Sequence, residues 1–504
     1  MIIREWNNYN PEVEAYNKLY KKRLSTYSRE KDYDIEKKEL IFQNDIRKKL
    51  AKCLEQNKYC ILNLDTGLGK TYVTLSFLSK HYRKKTKTPI LIICPACNIS
   101  DPWKKELANY EEEGLSCYIY HGTQKEILAT NNTLKLEGFD FIITSYHTIT
   151  NNNCNDYFKK TLFPIIIFDE PQKIINSTKL NKSLLDLSLI KSYYRLALTA
   201  SPMSNTIKEL FILNAFLKEP SYVEQTYQYV KTASIETIEN ESKNLPSIIS
   251  LSKFQKEIQE ETNLPSLREY KIKVPLDDSV LKELNKLKYF PQKSRLLVWP
   301  SLFLSNQDTP FFNSKIKVLK EILKKIPAEE KTIIFSMYTE GIDSLFGELS
   351  KIGYICFKTT GAMSPKERKM SVQDFKNYKG KALMLASIKA NETGLNYQEA
   401  NNVIFLDSWY NPQVIKQARD RCFRMGQVKD VNVFYLSSDT EFENNIWEIK
   451  DSKLEDTNQV LNWENEVTPV VKDYTNDENY LEKISNLMDE IYINPRIILN
   501  RVIL

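Results

Sequence analysis

Short apolar runs recur along this chain, each bounded by polar or turn residues and separated by amphipathic stretches. In the first part they are Cys60–Leu64, Ile90–Cys94, Phe139–Thr144, Ile165–Phe168 and Arg195–Thr199. Bounded, β-rich runs with helical spacers predict buried parallel strands. A second series follows: Thr332–Ser336, Tyr354–Lys358, Ala382–Ser387, Asn402–Asp407 and Val431–Leu436, led in by an amphipathic helix at Ser314–Lys325. Between the two series, residues 221–265 lose the rhythm and become rich in Glu, Ser and Asn, so they read as helices or loops. No short repeat of fixed period is present. Two successive α/β lobes are the simplest account. The expected divisions are a charged, tyrosine-bearing extension (1–38), a first lobe (39–220), a helical insertion and linker (221–311), a second lobe (312–440) and a charged helical tail (441–504). The extension is a candidate partner-binding segment.

Composition changes this picture little. The chain has 504 residues, 42% of them hydrophobic and 27% charged, a soluble globular balance. Its 71 basic and 65 acidic residues leave a net charge of +6, so a nucleic-acid strand would need basic residues gathered in one groove. The first ten residues carry Arg4 and Glu5 and do not read as a signal peptide, and no apolar run approaches the roughly 18 residues of a membrane span. Eight scattered cysteines then imply a reduced, intracellular protein of nucleus, cytoplasm or viral factory, with no membrane partner. The pair Cys94 and Cys97 has no second pair at zinc-site spacing, and the three histidines are dispersed. Glycine is scarce, 12 in 504, which gives weight to Gly67, Gly69, Gly361, Gly394 and Gly426. Glycine persists where the backbone needs a positive φ or must approach a ligand closely.

Two of those glycines sit in Asp65-Thr66-Gly67-Leu68-Gly69-Lys70-Thr71, which follows an apolar run and opens an amphipathic one. Such a loop turns backbone N–H groups toward phosphate oxygens, with Lys70 reaching the β- and γ-phosphates of ATP and the Thr71 hydroxyl on Mg²⁺. A strict phosphate loop has a further glycine at position 64, which is leucine here. About 100 residues on, the run Ile165–Phe168 ends in Asp169-Glu170. Asp169 would bind Mg²⁺ through water and Glu170 would orient and deprotonate the attacking water. Arg421 and Arg424, three apart, read as sharing one helix face, where one of them could offset charge in the transition state.

With these elements placed, residues 40–447 resemble the Swi/Snf group of superfamily 2 helicase-like ATPases. Gln43 stands where that family has its adenine-recognising glutamine. Ile93-Cys94-Pro95 with Trp103 and Glu106, then Ile143-Thr144-Ser145-Tyr146, are similar to its successive DNA-contact motifs. Leu198-Thr199-Ala200-Ser201-Pro202 with Asn205 is similar to the motif that couples hydrolysis to movement. In the second series, Lys331–Ser336, the block of Gly361, Arg368 and Phe375, the group Ser387, Lys389, Ala390 and Gly394-Leu395-Asn396, and the string from Asp407 and Trp409 through Gln417, Asp420, Arg421 and Arg424-Met425-Gly426-Gln427 are similar to the family's remaining motifs. The last string is the most specific and separates this group from DEAD-box and DEAH RNA helicases. The compact size resembles viral members such as the global transactivators of baculoviruses.

The resemblance implies two RecA-like lobes, each a mainly parallel sheet flanked by helices, with ATP and Mg²⁺ as cofactors and double-stranded DNA as track. It implies nucleotide contacts at Gln43, Gly67, Gly69, Lys70, Thr71, Gly394 and Gln417, catalytic roles for Lys70, Asp169, Glu170, Arg421 and Arg424, and phosphate-backbone contacts near Thr144, Ser145, Ser387 and Lys389. Transcription-machinery proteins are candidate partners. Three departures matter. Gln172 replaces the usual histidine after the acidic pair, Asn391-Glu392 replaces paired glycines, and Ala200-Ser201 replaces Gly-Thr. The rival readings are a strand-separating RNA or DNA helicase of the same fold, and a degenerate ATPase serving as a binding module.

Overall fold

The computed structural model describes residues 40–81, 88–111, 115–122, 127, 138–150, 157–203, 206–242, 247–300, 314–388, 396–461 and 469–492. The chain divides into two units, Met1–Lys253 and Phe254–Leu504. Each is built on a seven-stranded sheet in which every recorded strand pair is parallel. Two α/β lobes are therefore what the chain forms. Among the described residues no helix is long and apolar enough to cross a membrane.

In the first unit the strands are β1 (Tyr59–Leu64), β2 (Ile90–Cys94), β3 (Cys117–Tyr120), β4 (Phe141–Ser145), β5 (Leu162–Asp169), β6 (Lys191–Thr199) and β7 (Ile248–Leu251), in spatial order β3-β4-β2-β5-β6-β1-β7. The helices that position the site are α1 (Ile41–Asn57), α2 (Lys70–His81), α3 (Lys105–Glu111) and α4 (Ile207–Lys218). The inner strands are apolar on both faces because helices cover both. Ile61, Leu62, Leu91, Ile92, Ile143, Ile166, Ile167, Leu196 and Leu198 are fully buried. Each such side chain contributes about 1.5–3 kcal/mol of hydrophobic stabilisation. The register sets Leu62 of β1 and Asp169 of β5 on either side of Leu198 of β6, so these three strands end at one level.

The second unit contains β8 (Leu267–Val274), β9 (Lys331–Ser336), β10 (Cys356–Thr359), β11 (Ala382–Ser387), β12 (Asn402–Phe405), β13 (Val431–Ser438) and β14 (Val470–Asp473), in order β10-β11-β9-β12-β13-β8-β14. Its helices include α5 (Ser314–Lys325), α6 (Pro412–Arg419), α7 (Glu441–Leu461) and α8 (Tyr480–Tyr492). Ile333, Leu383, Leu385, Val403, Ile404, Val433 and Phe434 form the buried middle of this sheet. Beneath it Lys315 of α5 and Glu443 of α7 make an ion pair of 2.8 Å with both side chains almost wholly buried. Glu443 is saturated there, accepting also from Ser408 Oγ at 2.7 Å and Ser438 N at 2.6 Å.

Two stretches differ from the sequence reading. Residues 221–311, expected to be an insertion, supply β7 to the first sheet and β8 to the second. The tail from 441 is a working part of the second unit. Ile484 and Met488 of α8 are fully buried, Lys325 pairs with Asp489 at 2.8 Å, and β14 adds an edge strand. The 1–38 extension lies outside the described residues.

Candidate nucleotide site

β1 stops at Leu64 because the next residues turn too sharply for a ladder. Gly67 and Gly69 hold φ of 84° and 83°, and α2 begins at Lys70. At Gly69 a side chain is excluded twice: by its φ, and because a Cβ would lie 2.8 Å from Gln43 Nε2. Gln43, on the first turn of α1, is thus locked to the loop. Its amide donates to the Leu68 carbonyl at 3.3 Å, and its carbonyl accepts from Leu40 N at 3.2 Å. Asp65 is buried and its carboxylate accepts from Thr66 N at 2.9 Å and from Lys253 N at 3.4 Å, which ties the turn to the chain just after β7. Lys70 Nζ donates to the Leu64 carbonyl at 2.9 Å, so the ammonium is folded over the mouth of its own loop. Thr71 is half-buried on the same turn.

Across the C-terminal edge of the sheet, β5 delivers Asp169 and Glu170. Burial pushes the Asp169 carboxyl up to about 6, and the neighbouring Glu170 adds to the rise. Three groups oppose it: Asn98 Nδ2 and Trp103 Nε1, each donating to Oδ2 at 2.9 Å, and the Lys70 charge. Glu170 occupies the left-handed region, φ 51° and ψ 51°, which is costly for a residue with a side chain and typical of functional turns. Its N–H donates to the Leu198 carbonyl at 2.8 Å and its carbonyl accepts from Lys173 N at 3.2 Å, and its carboxylate is braced by Gln172. The Gln172 amide donates to Glu170 Oε2, while its carbonyl accepts from Thr199 Oγ1 at 3.0 Å, and Thr199 Oγ1 in turn accepts from Ser201 N at 2.8 Å. The Gln-for-His departure therefore links the acidic pair to the end of β6, within the first unit.

The second unit's arginines are placed differently from the sequence reading. α6 starts at the Asn411 cap, whose side chain accepts from Gln413 N at 3.0 Å, and stops at Arg419. Arg421 and Arg424 lie beyond it, half-buried in a series of tight turns rather than on a helix face. The helical pattern persists through this stretch in sequence, but a residue further on overrides it. Gln427 Nε2 donates to the carbonyls of Gln398 and Ala400, both at 2.9 Å, and of Cys422 at 3.3 Å. Its Oε1 accepts from Val428 N and Lys429 N, both at 3.0 Å. Gly426 beside it has φ 92°. The base of the loop is anchored by Arg419, which donates to Asp420 Oδ1 at 2.9 Å and Glu269 Oε1 at 3.1 Å. Gln417 is half-buried on α6.

The nominated phosphate-backbone residues fare unevenly. Thr144 and Ser145 are buried at the end of β4. Ser145 caps the short helix Tyr146–Ile149, accepting from Thr148 N at 3.1 Å. The Ser145 hydroxyl is thus engaged within the fold, whereas the buried Thr144 Oγ1 has no hydrogen-bond partner among the described residues. Ser387 is buried at the end of β11. Lys389 and Gly394 lie outside the described residues.

Sequence reasoning did not assign roles to Asn98 or Gln427, read Gln172 as a departure still able to hydrogen-bond, and read Trp103 only as part of a DNA-contact motif. Their function is a matter of partners 27 to 71 residues away. Chemically, the first unit presents a positive-φ loop with a lysine, a hydroxyl at the head of a helix, and two acids on a neighbouring strand end. That donor set fits a nucleoside triphosphate with a hard divalent cation.

Residues 24–333 match the SNF2-related domain and residues 314–426 the helicase conserved C-terminal domain. Chromodomain-helicase-DNA-binding protein 1-like of Mus musculus is 27% identical over 82% of this chain and 49% of its own. ATP-dependent helicase FUN30 of Saccharomyces cerevisiae is 24% identical over 84% of this chain and 48% of its own. The chain thus spans about half the length of the curated relatives it matches. Among solved structures, the Sulfolobus solfataricus SWI2/SNF2 ATPase core in complex with dsDNA is similar at 21% identity and a TM-score of 0.42, covering 86% of this chain and 98% of that one.

Proposed function

This chain belongs to the SNF2-related family, and from that premise we propose that it is an ATP-hydrolysing motor that translocates on double-stranded DNA. The observation that carries the proposal is the shared edge of β1, β6 and β5, which brings Lys70, Thr199, Asp169 and Glu170 to one end of the first sheet. Ligands of parallel α/β sheets bind at the carboxyl ends of the strands. Lys70 leaves the Leu64 carbonyl to meet the β- and γ-phosphates. Thr71 would hold Mg²⁺ directly and Asp169 would hold it through water, and the cation when bound would neutralise charge on the phosphate oxygens. Glu170, fixed by Gln172, takes the proton of the attacking water. Gln43 and Gln417 contact the nucleotide, and Arg424 or Arg421 offsets the charge of the transition state. The relatives named above are a mouse and a yeast protein, one called DNA-binding and the other an ATP-dependent helicase. They favour a DNA track and lend the viral likeness no support.

The deciding experiment measures ATP turnover by the chain alone and with duplex DNA, single-stranded DNA or duplex RNA, alongside ATP-dependent displacement of a triplex-forming third strand. Duplex DNA should stimulate most and the third strand should be released. Unwinding of duplex RNA with no response to DNA would replace the proposal by a strand-separating helicase. The absence of turnover in every condition would leave a binding module.

A further inference from the structure

Asp169 is held by more than its strand. Between β2 and α3 the chain runs through a single 3₁₀ turn, Ala96–Asn98, and then a widened π-helical turn, Ile99–Lys104, with Pro102 inside it. π-turns are rare and concentrate at functional positions. This one does a specific job. It brings Asn98 Nδ2 and Trp103 Nε1, five residues apart in sequence, onto the same oxygen of Asp169, each at 2.9 Å. Trp103 is fully buried, so its N–H has no solvent alternative. The backbone carbonyl of Asp169 is engaged separately, by Tyr146 Oη at 2.8 Å. Among the described residues both side-chain donors converge on Oδ2 and none lies on Oδ1.

We propose that Asn98 and Trp103 are positioning residues for the nucleotide-bound divalent cation: by saturating Oδ2 they fix the rotamer of Asp169 and leave Oδ1 as its single metal-facing oxygen. A carboxylate free to rotate would offer either oxygen or both, and the cation would lose its defined seat. Hydrogen-bond partners that orient metal-site side chains commonly set metal affinity by 10–100-fold. The inference rests on the nucleotide-site reading above and assigns a task to a segment that otherwise reads only as a DNA-contact motif. It also gives the π-turn a reason: an ordinary helical turn brings residues three or four apart together on one face, not five.

The test uses the full chain and its Trp103→Phe and Asn98→Ala variants. Trp103→Phe keeps an aromatic ring in the core and removes the N–H. Asn98→Ala removes the other donor at a half-buried position and backs up the first variant if that one folds poorly. Mn²⁺ binding in the presence of ADP is followed by electron paramagnetic resonance, with metal-free ADP affinity measured in parallel. Each variant should bind Mn²⁺ about tenfold more weakly, while metal-free ADP affinity stays near wild type. The Mg²⁺ concentration for half-maximal ATP turnover should rise by the same factor. Variants with wild-type Mn²⁺ affinity would overturn the positioning role and leave the nucleotide site intact. Equal losses of Mn²⁺ and metal-free ADP affinity would overturn it too, since that is the signature of a general structural defect. A wild-type chain that holds no Mn²⁺ with ADP would remove the nucleotide-site reading, and this proposal with it.

Discussion

At the scale of single residues, the site's chemistry divides between groups named by motif and groups named only by contact. Lys70 is the ammonium at the loop mouth. Lys70→Ala should leave the thermal midpoint within a few degrees and lower ATP turnover by about 10²-fold or more, the usual cost of losing a charge-stabilising donor. Glu170→Gln keeps the shape and removes the proposed base, so turnover should fall by about 10²–10⁴ while nucleotide is still retained. Wild-type turnover by the folded Glu170→Gln protein would show that another group activates water. Arg424→Ala should cost about 10³–10⁵ in rate with only a modest loss of ATP affinity. These residues could be nominated from the sequence because each motif places a fixed chemical type at a fixed spacing. Gln172 was readable only as a departure. Its bonds to Glu170 and Thr199 depend on where β5 and β6 end relative to each other, which no local pattern encodes.

Residue-level electrostatics also make a prediction about pH. Asp407 is buried after β12 and its carboxyl is pushed up to about 6 by that burial, against the pull of Ser336, the Met337 N–H and the Lys315 charge. A carboxyl whose folded pKa lies above its ordinary 3.8 binds protons more strongly when folded. Its contribution is therefore fully favourable below about 4 and is lost as pH rises through about 6. Urea unfolding of the second unit should show wild type losing stability relative to Asp407→Asn between pH 4 and pH 7. A constant difference across that range would mean that Asp407 does not titrate there.

At the scale of elements, most strands legible in the sequence are those buried on both faces, such as Ile90–Cys94 and Ala382–Ser387. β8 alternates between buried and half-buried positions and is set among polar neighbours, and β14 is an exposed edge with Val470 and Val471 in solvent. Neither makes a continuous apolar run, so both fell into segments read as insertion and tail. The arginine loop was misread for a related reason. Its start signal, Asn411-Pro412, is local, but its stop is the set of five hydrogen bonds to Gln427. Gln427→Ala should strand buried carbonyl groups and destabilise the second unit by about 1–3 kcal/mol, and should reduce turnover far more than ATP affinity. The buried pair Lys315–Glu443 joins α5 to α7. Lys315→Met leaves Glu443 charged and unpaired in the interior, and a loss of about 3–5 kcal/mol is expected in chemical denaturation.

At the scale of the whole molecule, a net charge of only +6 says little about a nucleic-acid track, and composition alone would not have suggested one. The two-lobe plan was legible because parallel sheets impose a long-range alternation of apolar runs and helical spacers. Where the first sheet stops and the second begins was not, because that is decided by which sheet β7 and β8 join. A motor that grips phosphates should bind duplex DNA with little sequence preference, and its affinity should fall steeply and linearly in log–log form as salt rises. Sequence-selective, salt-insensitive binding in a fluorescence titration would contradict a tracking role.

The order of strands in each sheet also bears on how the protein is made. β1, which carries the phosphate loop, lies between β6 and β7, and Asn63 meets Ser250 across 187 residues of chain. β8, the first strand of the second sheet, waits nearly as long, since Glu269 meets Tyr435 across 166 residues. During synthesis each of these two strands leaves the ribosome well before its neighbours exist. A growing chain therefore carries bare, hydrophobic strand edges for many seconds, at elongation rates of about 5–20 residues per second. Such edges are natural clients for chaperones that bind extended apolar segments, and rapid refolding of the diluted, denatured chain without such help should compete poorly with aggregation.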